Sequence, residues 1–264
     1  MITKKQSKIV VVGSGFGGIA SALRMRALGY DVTVIEKLNV IGGRAQVFRV
    51  NGFKHDAGPT VITAPFMFDD LFKLFGENRK KYLNFVALDP WYRFYFHDNT
   101  YFDYCKNIDD TKKEISKFSL SDADGYEKLL NISKEIFDIG FSRLADKPFT
   151  SFFTMIKQIP DLVKLKSYLT VSQLVKKYLK HPKIQSAFSI HPLLVGGNPF
   201  STTSIYALIH YLERNWGVYF CMGGTGKIIL ELNKLMKRQK IKIKLSNDVT
   251  KVNLENNRII SIEC

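Results

Sequence analysis

Cysteine is scarce in this sequence. Cys105, Cys221 and Cys264 are the only three among 264 residues, and none stands at CxxC spacing. That usage excludes a disulfide framework and a zinc-finger type of site, and it fits a reducing compartment. The first residues show little of a secretory pattern. MITKKQSK runs straight into IVVVG, with no apolar core of signal type and no small-residue cleavage site. Export is therefore not expected. Apolar residues make up 45% and charged residues 24%. Those ordinary globular proportions exclude disorder and collagen-like or repeat composition as the main state. The length allows one large or two modest domains.

Acids are in deficit. Lys and Arg number 39 against 24 Asp and Glu, a formal charge of +15. Such a balance points to nucleic acid, an anionic membrane surface, or simply a lysine-rich proteome. Residues 157–183 hold seven lysines against Asp161, and residues 227–244 hold six lysines and Arg238 against Glu231. Neither window comes with an RNA-binding motif, a helix-turn-helix spacing or a zinc knuckle, so no nucleic-acid partner is expected. Residues 184–212 contain no Asp, Glu, Lys or Arg. Their length raises a membrane span, but Pro192, Gly196, Gly197, Asn198 and Pro199 interrupt the middle. Burial, or the lining of an apolar cavity, is the expected use. His191 and His210 lie in this block without a His, Cys or acidic partner at ligand spacing, and read as pocket or core histidines. No metal site is expected. No Ser-His-Asp or Cys-His set is discernible, so the catalytic side chain is unknown.

Residues 8–36 carry the strongest local pattern. KIVVV (8–12) reads as a parallel strand buried on both faces. Gly13, Ser14, Gly15, Phe16, Gly17 and Gly18 form G-x-G-x-x-G, and Ile19 to Leu28 read as a helix stopped by Gly29. DVTVI (31–35) is a second strand ending at Glu36, 18 residues after the last glycine. In that context the glycines are a dinucleotide fingerprint. Gly13 allows the tight turn, Gly15 lets the backbone approach a pyrophosphate, and Gly18 lets helix and strand pack. The helix N-terminus offers N–H groups to phosphates. Glu36, followed by Lys37, accepts from ribose hydroxyls and disfavours a 2′-phosphate. Gly42-Gly43-Arg44 just beyond favours FAD over NAD, because Arg44 can pair with phosphate oxygens through two N–H groups. A plain turn with a surface arginine is the alternative.

A hairpin follows, AQVFRV-NG-FKHD, with Asn51-Gly52 as a type I′ turn. Residues 66–82 read as helix, 85–104 as aromatic strands, and 110–180 as mostly helical with breaks at Pro148 and Pro160. A helix restarts at Ser201. Gly223-Gly224-Thr225-Gly226-Lys227 is not a P-loop, because Cys221 and Ile228 stand where glycine and Ser or Thr are needed. It opens a helix to about Arg238, then the strand IKIKL and a hairpin through Asn256-Asn257.

GSGFGG, Glu36, IGGRA and HDAGPTVIT, together with AFSIHPLLVGGNPFSTTSIYALIHYLERNWGVYF and GGTG, resemble the bacterial-type phytoene desaturases. These are FAD-dependent carotenoid desaturases related to the amine oxidase flavoproteins. The resemblance runs from about Lys8 to the last residue, with Cys221 where the family usually has proline. It implies an α/β fold: a Rossmann-like FAD-binding domain of the glutathione-reductase kind with an inserted, mostly helical, substrate- and membrane-facing domain. The expected division is 1–85 plus 215–264 for the cofactor and 86–214 for the substrate. The resemblance also implies that Asp56 to Thr60 lie near the flavin ring, with Gly58, Pro59 and Thr60 in contact. It implies that Val249, on the strand after IKIKL, meets the adenine side. A plain turn and a core valine are the alternatives.

The activity implied is desaturation of phytoene in a cytoplasmic, peripherally membrane-associated protein, with quinone or oxygen as electron acceptor. A related carotenoid oxidoreductase or isomerase, or a non-catalytic flavin- or lipid-binding piece, are the alternatives. Membrane attachment is expected through 161–180, where Leu162, Leu165 and Leu169 share helical spacing beside Lys164, Lys166, Lys176 and Lys177. Family members are longer and close the cofactor domain with a later glycine-rich segment. The chain is therefore expected to lack the C-terminal part of that domain and to be inactive alone.

Overall fold

A computed structural model describes residues 7–140, 163 and 165–264. Pro148, Pro160, Leu162 and Lys164 lie outside the described residues. In chain order the elements begin β1 (Lys8–Val12), α1 (Phe16–Ala27), β2 (Asp31–Ile35), β3 (Val47–Val50), β4 (Phe53–Asp56), α2 (Pro65–Lys73) and β5 (Phe85–Ala87). Next come β6 (Tyr92–Tyr95), β7 (Tyr101–Tyr104), α3 (Ile108–Ser116), α4 (Leu120–Gly140), α5 (Val171–Tyr178), α6 (Pro182–Phe188) and α7 (Leu208–Trp216). The last are β8 (Tyr219–Cys221), α8 (Thr225–Arg238), β9 (Lys242–Lys244), β10 (Lys251–Glu255) and β11 (Arg258–Glu263). Two compact units result: residues 1–86 with 219–264, and residues 87–218.

In the first unit, β2 is the middle strand of a parallel sheet ordered β1-β2-β9. Its branched residues suit that place, and Val32 and Val34 are buried. The core forms where Ile19, Ala22 and Leu23 of α1 and Ile228, Leu232, Leu235 and Met236 of α8 meet that sheet and Phe72. The helical spacing of both sets places each on one face. Each fully buried aliphatic or aromatic side chain contributes about 1.5–3 kcal/mol. Gly29 ends α1 at φ +93°, a left-handed conformation open to glycine. The Asn51-Gly52 turn has φ 49° and 83°, the two positive angles of type I′.

Three expectations change here. Strand β1 is not buried on both faces. It lies at the sheet edge, Ile9 and Val11 face the core, and Val10 and Val12 are 46% and 60% exposed. Among the described residues nothing covers that outer face. The helix expected over 66–82 ends at Lys73, because the chain turns at Gly76 (φ +69°) before a short 3₁₀ turn at Arg79–Lys81. Val249 lies in the irregular connection between β9 and β10, not on a strand.

The second unit is built around aromatic rings. β6 and β7 pair antiparallel, so alternate side chains share a face. Phe102 and Tyr104 are buried, and Phe188 of α6 stands 5.6 and 5.1 Å from their ring centres and 4.9 Å from Tyr126. Tyr95 and Tyr101, on the other face, are exposed. Arg214 of α7 enters this cluster. Its Nε donates to the Tyr126 hydroxyl (2.6 Å), Nη1 to the carbonyls of Cys105 (2.8 Å) and Lys106 (2.7 Å), and Nη2 to Thr111 Oγ1 (2.9 Å). The guanidinium also lies 4.3 Å from the Trp91 ring centre and 4.6 Å from that of Tyr104, a favourable charge–quadrupole contact.

The uncharged 184–212 block divides. Ile184, Phe188, His191, Pro192, Ala207, His210 and Leu212 are buried, whereas Leu193, Leu194, Val195 and Phe200 are exposed. The 161–180 helix is also corrected. Residues 165–168 form a turn, and α5 begins only at Val171, capped by Thr170 and Gln173 in a capping box. Leu165 is buried rather than displayed. Among the described residues no helix is long and apolar enough to cross a membrane.

A carboxylate ties α4 to the connection between α5 and α6. Asp122, fully buried, accepts from the backbone N–H of Lys180 (2.9 Å) and of His181 (2.8 Å). Nearby, a Cβ on Gly125 would lie 2.1 Å from the Tyr178 carbonyl oxygen. Asp122→Ala strands two backbone donors and is expected to cost about 2–4 kcal/mol, while Asp122→Asn, which keeps one acceptor oxygen, costs less. Urea unfolding of both variants checks the order. Equal stability of Asp122→Ala and the parent would contradict it.

Candidate functional site

The glycine turn opens onto a cavity of about 440 Å³ in the first unit, within the range of small-molecule sites. Its wall comprises Val12, Gly13, Ser14 and Gly15, then Ile35, Glu36, Lys37 and Leu38, then Gly43, Arg44 and Gln46, and finally Asn247, Asp248 and Val249. Of the residues expected at the cofactor, the cavity gathers Gly13, Ser14, Gly15, Glu36, Lys37, Gly43, Arg44 and Val249. Phe16, Gly17, Gly18, Gly58, Pro59 and Thr60 are not on its wall. Phe16 instead meets Phe68 edge-on at 5.7 Å. Gly18 packs so closely that a Cβ would lie 2.0 Å from the Gly13 carbonyl oxygen.

Each wall is held by backbone contacts. Gly13 N–H donates to the Ile35 carbonyl (2.7 Å), and Gly42 N–H to that of Ser14 (3.0 Å). Gly13, Gly42 and Gly43 have φ of 92°, 117° and 56°, so the turn and the glycine pair both need residues without a Cβ. Gly43 comes so near the turn that its Cβ would lie 3.1 Å from Gly15 Cα. A Cβ on Gly15 or Gly17 would meet nothing within 4 Å. The turn is therefore open on the side where α1 begins, and Gly15, its N-cap, supplies no side-chain cap to the free N–H groups.

Glu36 is the anchor of this wall. Its Oε2 accepts from Ser14 N–H and from Ser14 Oγ, both at 2.7 Å, and Oε1 accepts from Leu38 N–H at 3.0 Å. Burial pushes its pKa up, but the hydrogen bonds from Leu38 and Ser14 outweigh it and hold the carboxyl below the ordinary glutamate value. Oε1 keeps one lone pair for a ligand hydroxyl. Arg44 is exposed and makes no hydrogen bond among the described residues, so its fork is free for an anion. An open helix N-terminus, an ionised acceptor and a free guanidinium fit a nucleotide with a diphosphate.

Six wall residues were missed in the sequence reading: Val12, Ile35 and Leu38, which flank the motif residues, and Gln46, Asn247 and Asp248. Gln46 follows the glycine pair directly. Asn247 and Asp248 precede Val249, and Asn247 N–H donates to the Glu36 carbonyl (3.0 Å). Asn-Asp after a short strand is a turn signal that could have marked them.

Cys221, at the end of β8, is buried, and burial pushes its thiol pKa up. Its carbonyl accepts from Gly224 N–H (2.9 Å), and Gly223 and Gly224 take φ of 92° and 77°.

The second unit holds a buried polar set that sequence spacing did not reveal. His191 Nε2 lies 2.9 Å from Glu213 Oε2, and the Tyr92 hydroxyl donates to Glu213 Oε1 at 2.7 Å. His191 thus does have an acidic partner, brought to it by α7. His210 stands with its ring centre 3.9 Å from that of His191. Burial, then the His191 charge, holds its pKa well below the usual histidine value. Burial and Glu213 raise that of Tyr92. Among the described residues no group of three or more His, Cys, Asp or Glu could hold a metal ion.

Comparison with known proteins bears on both units. Residues 16–264 match the family described as flavin containing amine oxidoreductase. The phytoene desaturase (lycopene-forming) of Pseudescherichia vulneris is 39% identical over 255 residues, covering 97% of this chain and 52% of that protein. The phytoene desaturase (neurosporene-forming) of Cereibacter sphaeroides is 32% identical over 248 residues, covering 94% and 48%. The chain thus spans about half the length of the curated relatives it matches. An oxidoreductase from Methanosarcina mazei superposes with a TM-score of 0.62 at 19% identity, covering 97% of this chain and 55% of that one, which is a likeness of fold. With its parallel β1-β2-β9 sheet and glycine turn, the chain belongs to the flavin-containing amine oxidoreductase family, among relatives that are carotenoid desaturases.

Proposed function

We propose that the chain binds FAD in the cavity of the first unit and serves the desaturation of phytoene. The observation that carries the reading is the conjunction of the Gly15 opening, the pre-oriented Glu36 carboxylate and the free Arg44 on one cavity wall. Gly13 to Gly18 and the first turn of α1 hold the pyrophosphate. Glu36 Oε1 accepts from a ribose hydroxyl, with Lys37 beside it, and Arg44 pairs with phosphate oxygens. The Val249 backbone borders the adenine, and Gly58, Pro59 and Thr60 border the ring. The cofactor unit is of the Rossmann, glutathione-reductase kind, and the inserted unit takes the hydrocarbon.

When bound, FAD supplies the hydride acceptor for a CH₂–CH₂ unit beside a conjugated polyene. The carbons involved are very weak acids, and developing positive charge spreads along the polyene. The chain's own task is therefore orientation and exclusion of water. No side-chain base is assigned to the step. Quinone or oxygen takes up the electrons afterwards.

Membrane attachment falls to the second unit, centred on residues 193–200 and joined by exposed residues of the 163–177 stretch, not on a single 161–180 helix. Leu193, Leu194, Val195 and Phe200 are exposed, as are Tyr168 and Val163. The two segments are stitched together: Val171 N–H donates to the Thr202 carbonyl (3.0 Å), and Ser204 N–H to that of Leu169 (2.8 Å). An apolar display near Lys166, Lys176 and Lys177 suits a peripheral, cytoplasmic contact with anionic lipid.

Three measurements test these statements. Expression of the full reading frame that carries these residues, in a phytoene-producing host, is expected to yield desaturated, coloured carotenoid. Unchanged phytoene, or a product altered only in double-bond geometry, would sink desaturation. Gly15→Val meets no protein atom within 4 Å of its Cβ. It is expected to keep the thermal midpoint and lose FAD, whereas Gly18→Ala loses both. Retained flavin in Gly15→Val would refute the site. In flotation, vesicles with anionic lipid should carry the protein, less so in high salt, and Leu193→Ser with Phe200→Ser should reduce the bound fraction. Equal failure to bind anionic and neutral vesicles would refute docking.

A further inference from the structure

The segment after β4 is exposed from Ala57 to Thr60, yet it is fixed at several points. Ala57 N–H donates to the Gln46 carbonyl (3.0 Å). Gly58 lies against the Arg44 carbonyl, where a Cβ would come within 2.3 Å of the oxygen. Both contacts are with residues of the cavity wall. Further on, Ile62 and Tyr219 exchange backbone hydrogen bonds of 2.8 and 2.9 Å. A further hold is Thr225, the first residue of α8 and 3% exposed. Its N–H donates to Asp56 Oδ2 at 3.0 Å, and its hydroxyl donates to the Pro59 carbonyl. The loop before α8 is shaped to admit that carboxylate. A Cβ on Gly224 would lie 2.5 Å from Asp56 Oδ2, and one on Gly226 would lie 2.4 Å from Val47 Cγ2.

Asp56 and Thr225 therefore form a latch. One bond holds the strand end, the other holds the carbonyl three residues on, and both come from a single residue at the start of a helix. We propose that Thr225 and Asp56 are positioning residues that set the Gly58-Pro59-Thr60 backbone against the flavin ring. The inference rests on the FAD reading above. Neither residue touches the reacting atoms. Each acts through the course of the chain, as supports of a bound group must if it is to be held within a fraction of an ångström. The buried hydroxyl does work that a methyl group of the same size cannot. Thr225→Val removes the bond to Pro59 and keeps the N–H bond to Asp56, whereas Thr225→Ser keeps both.

The test uses the full reading frame that carries these residues, loaded with FAD. Thr225→Val is expected to shift the visible absorption maximum of the bound flavin. Amide hydrogen exchange at Ala57, whose N–H is bonded to the Gln46 carbonyl, should rise by up to about tenfold, the worth of one hydrogen bond. Thr225→Ser is expected to restore both, and Asp56→Asn to fall between. A merely structural role would lower the thermal midpoint and leave the flavin spectrum in place. A parent that retains flavin beside a Thr225→Val variant with an unchanged spectrum would overturn the latch alone. A parent that takes up no flavin would overturn the FAD reading and the latch with it.

Discussion

One buried carboxylate sets the geometry of the first unit. Glu36 stands at the end of β2 and closes three hydrogen bonds onto Ser14 and Leu38. The glycine turn can therefore neither drift from the sheet nor close upon itself. The cost of burying the charge is met by backbone and hydroxyl donors, not by a counter-ion. The choice leaves the nearby guanidinium of Arg44 uncommitted. A salt bridge between the two would have stabilised the wall and left little for a ligand to recognise.

The second unit solves the opposite problem. Arg214 has its charge dispersed over aromatic faces, two carbonyls and two hydroxyl oxygens. Three elements, β7, α3 and α4, converge on that one side chain through Tyr104, Thr111 and Tyr126. The neighbouring Glu213 does the same on the other side of α7 with Tyr92 and His191. An apolar domain is thereby organised by two charged groups adjacent in sequence, each satisfied by partners from other elements. Such fully satisfied polar networks specify one packing arrangement among many of similar apolar area.

Much of the first unit was legible in the sequence because its signals are local. The βαβ pattern, the Asn51-Gly52 turn and the glycine-led start of α8 each depend on a few neighbouring residues. What failed depended on distant ones. The exposure of Val10 and Val12 follows from which strands flank β1, and period-2 patterning does not report that. Leu165 was read as displayed because helical spacing was extended through residues that form a turn. His191 lacked a partner in sequence and found one in Glu213 because α7 returns to it. At the candidate site, Gly13, Gly15, Glu36 and Arg44 were readable from motif spacing. Gln46, Asn247 and Asp248 were not, since only the fold brings the connection after β9 to the end of β2.

The interleaving of the two units has a consequence for the order of assembly. β2 pairs with β9 at Thr33 and Lys242, so the central sheet waits for a strand made late. At about 5–20 residues per second of synthesis, the β1-α1-β2 start stands incomplete for roughly 10–40 s before β9 emerges. The second unit is finished within that interval. Its two ends meet where Leu88 N–H donates to the Val218 carbonyl (2.9 Å). Once folded, it turns a very long connection into a short tether, which lowers the entropy of closing the loop between the two halves of the first unit. The inserted unit thus acts as an internal clamp on the nascent chain, and a lesion in its aromatic centre would be felt first as failure of β9 to reach β2.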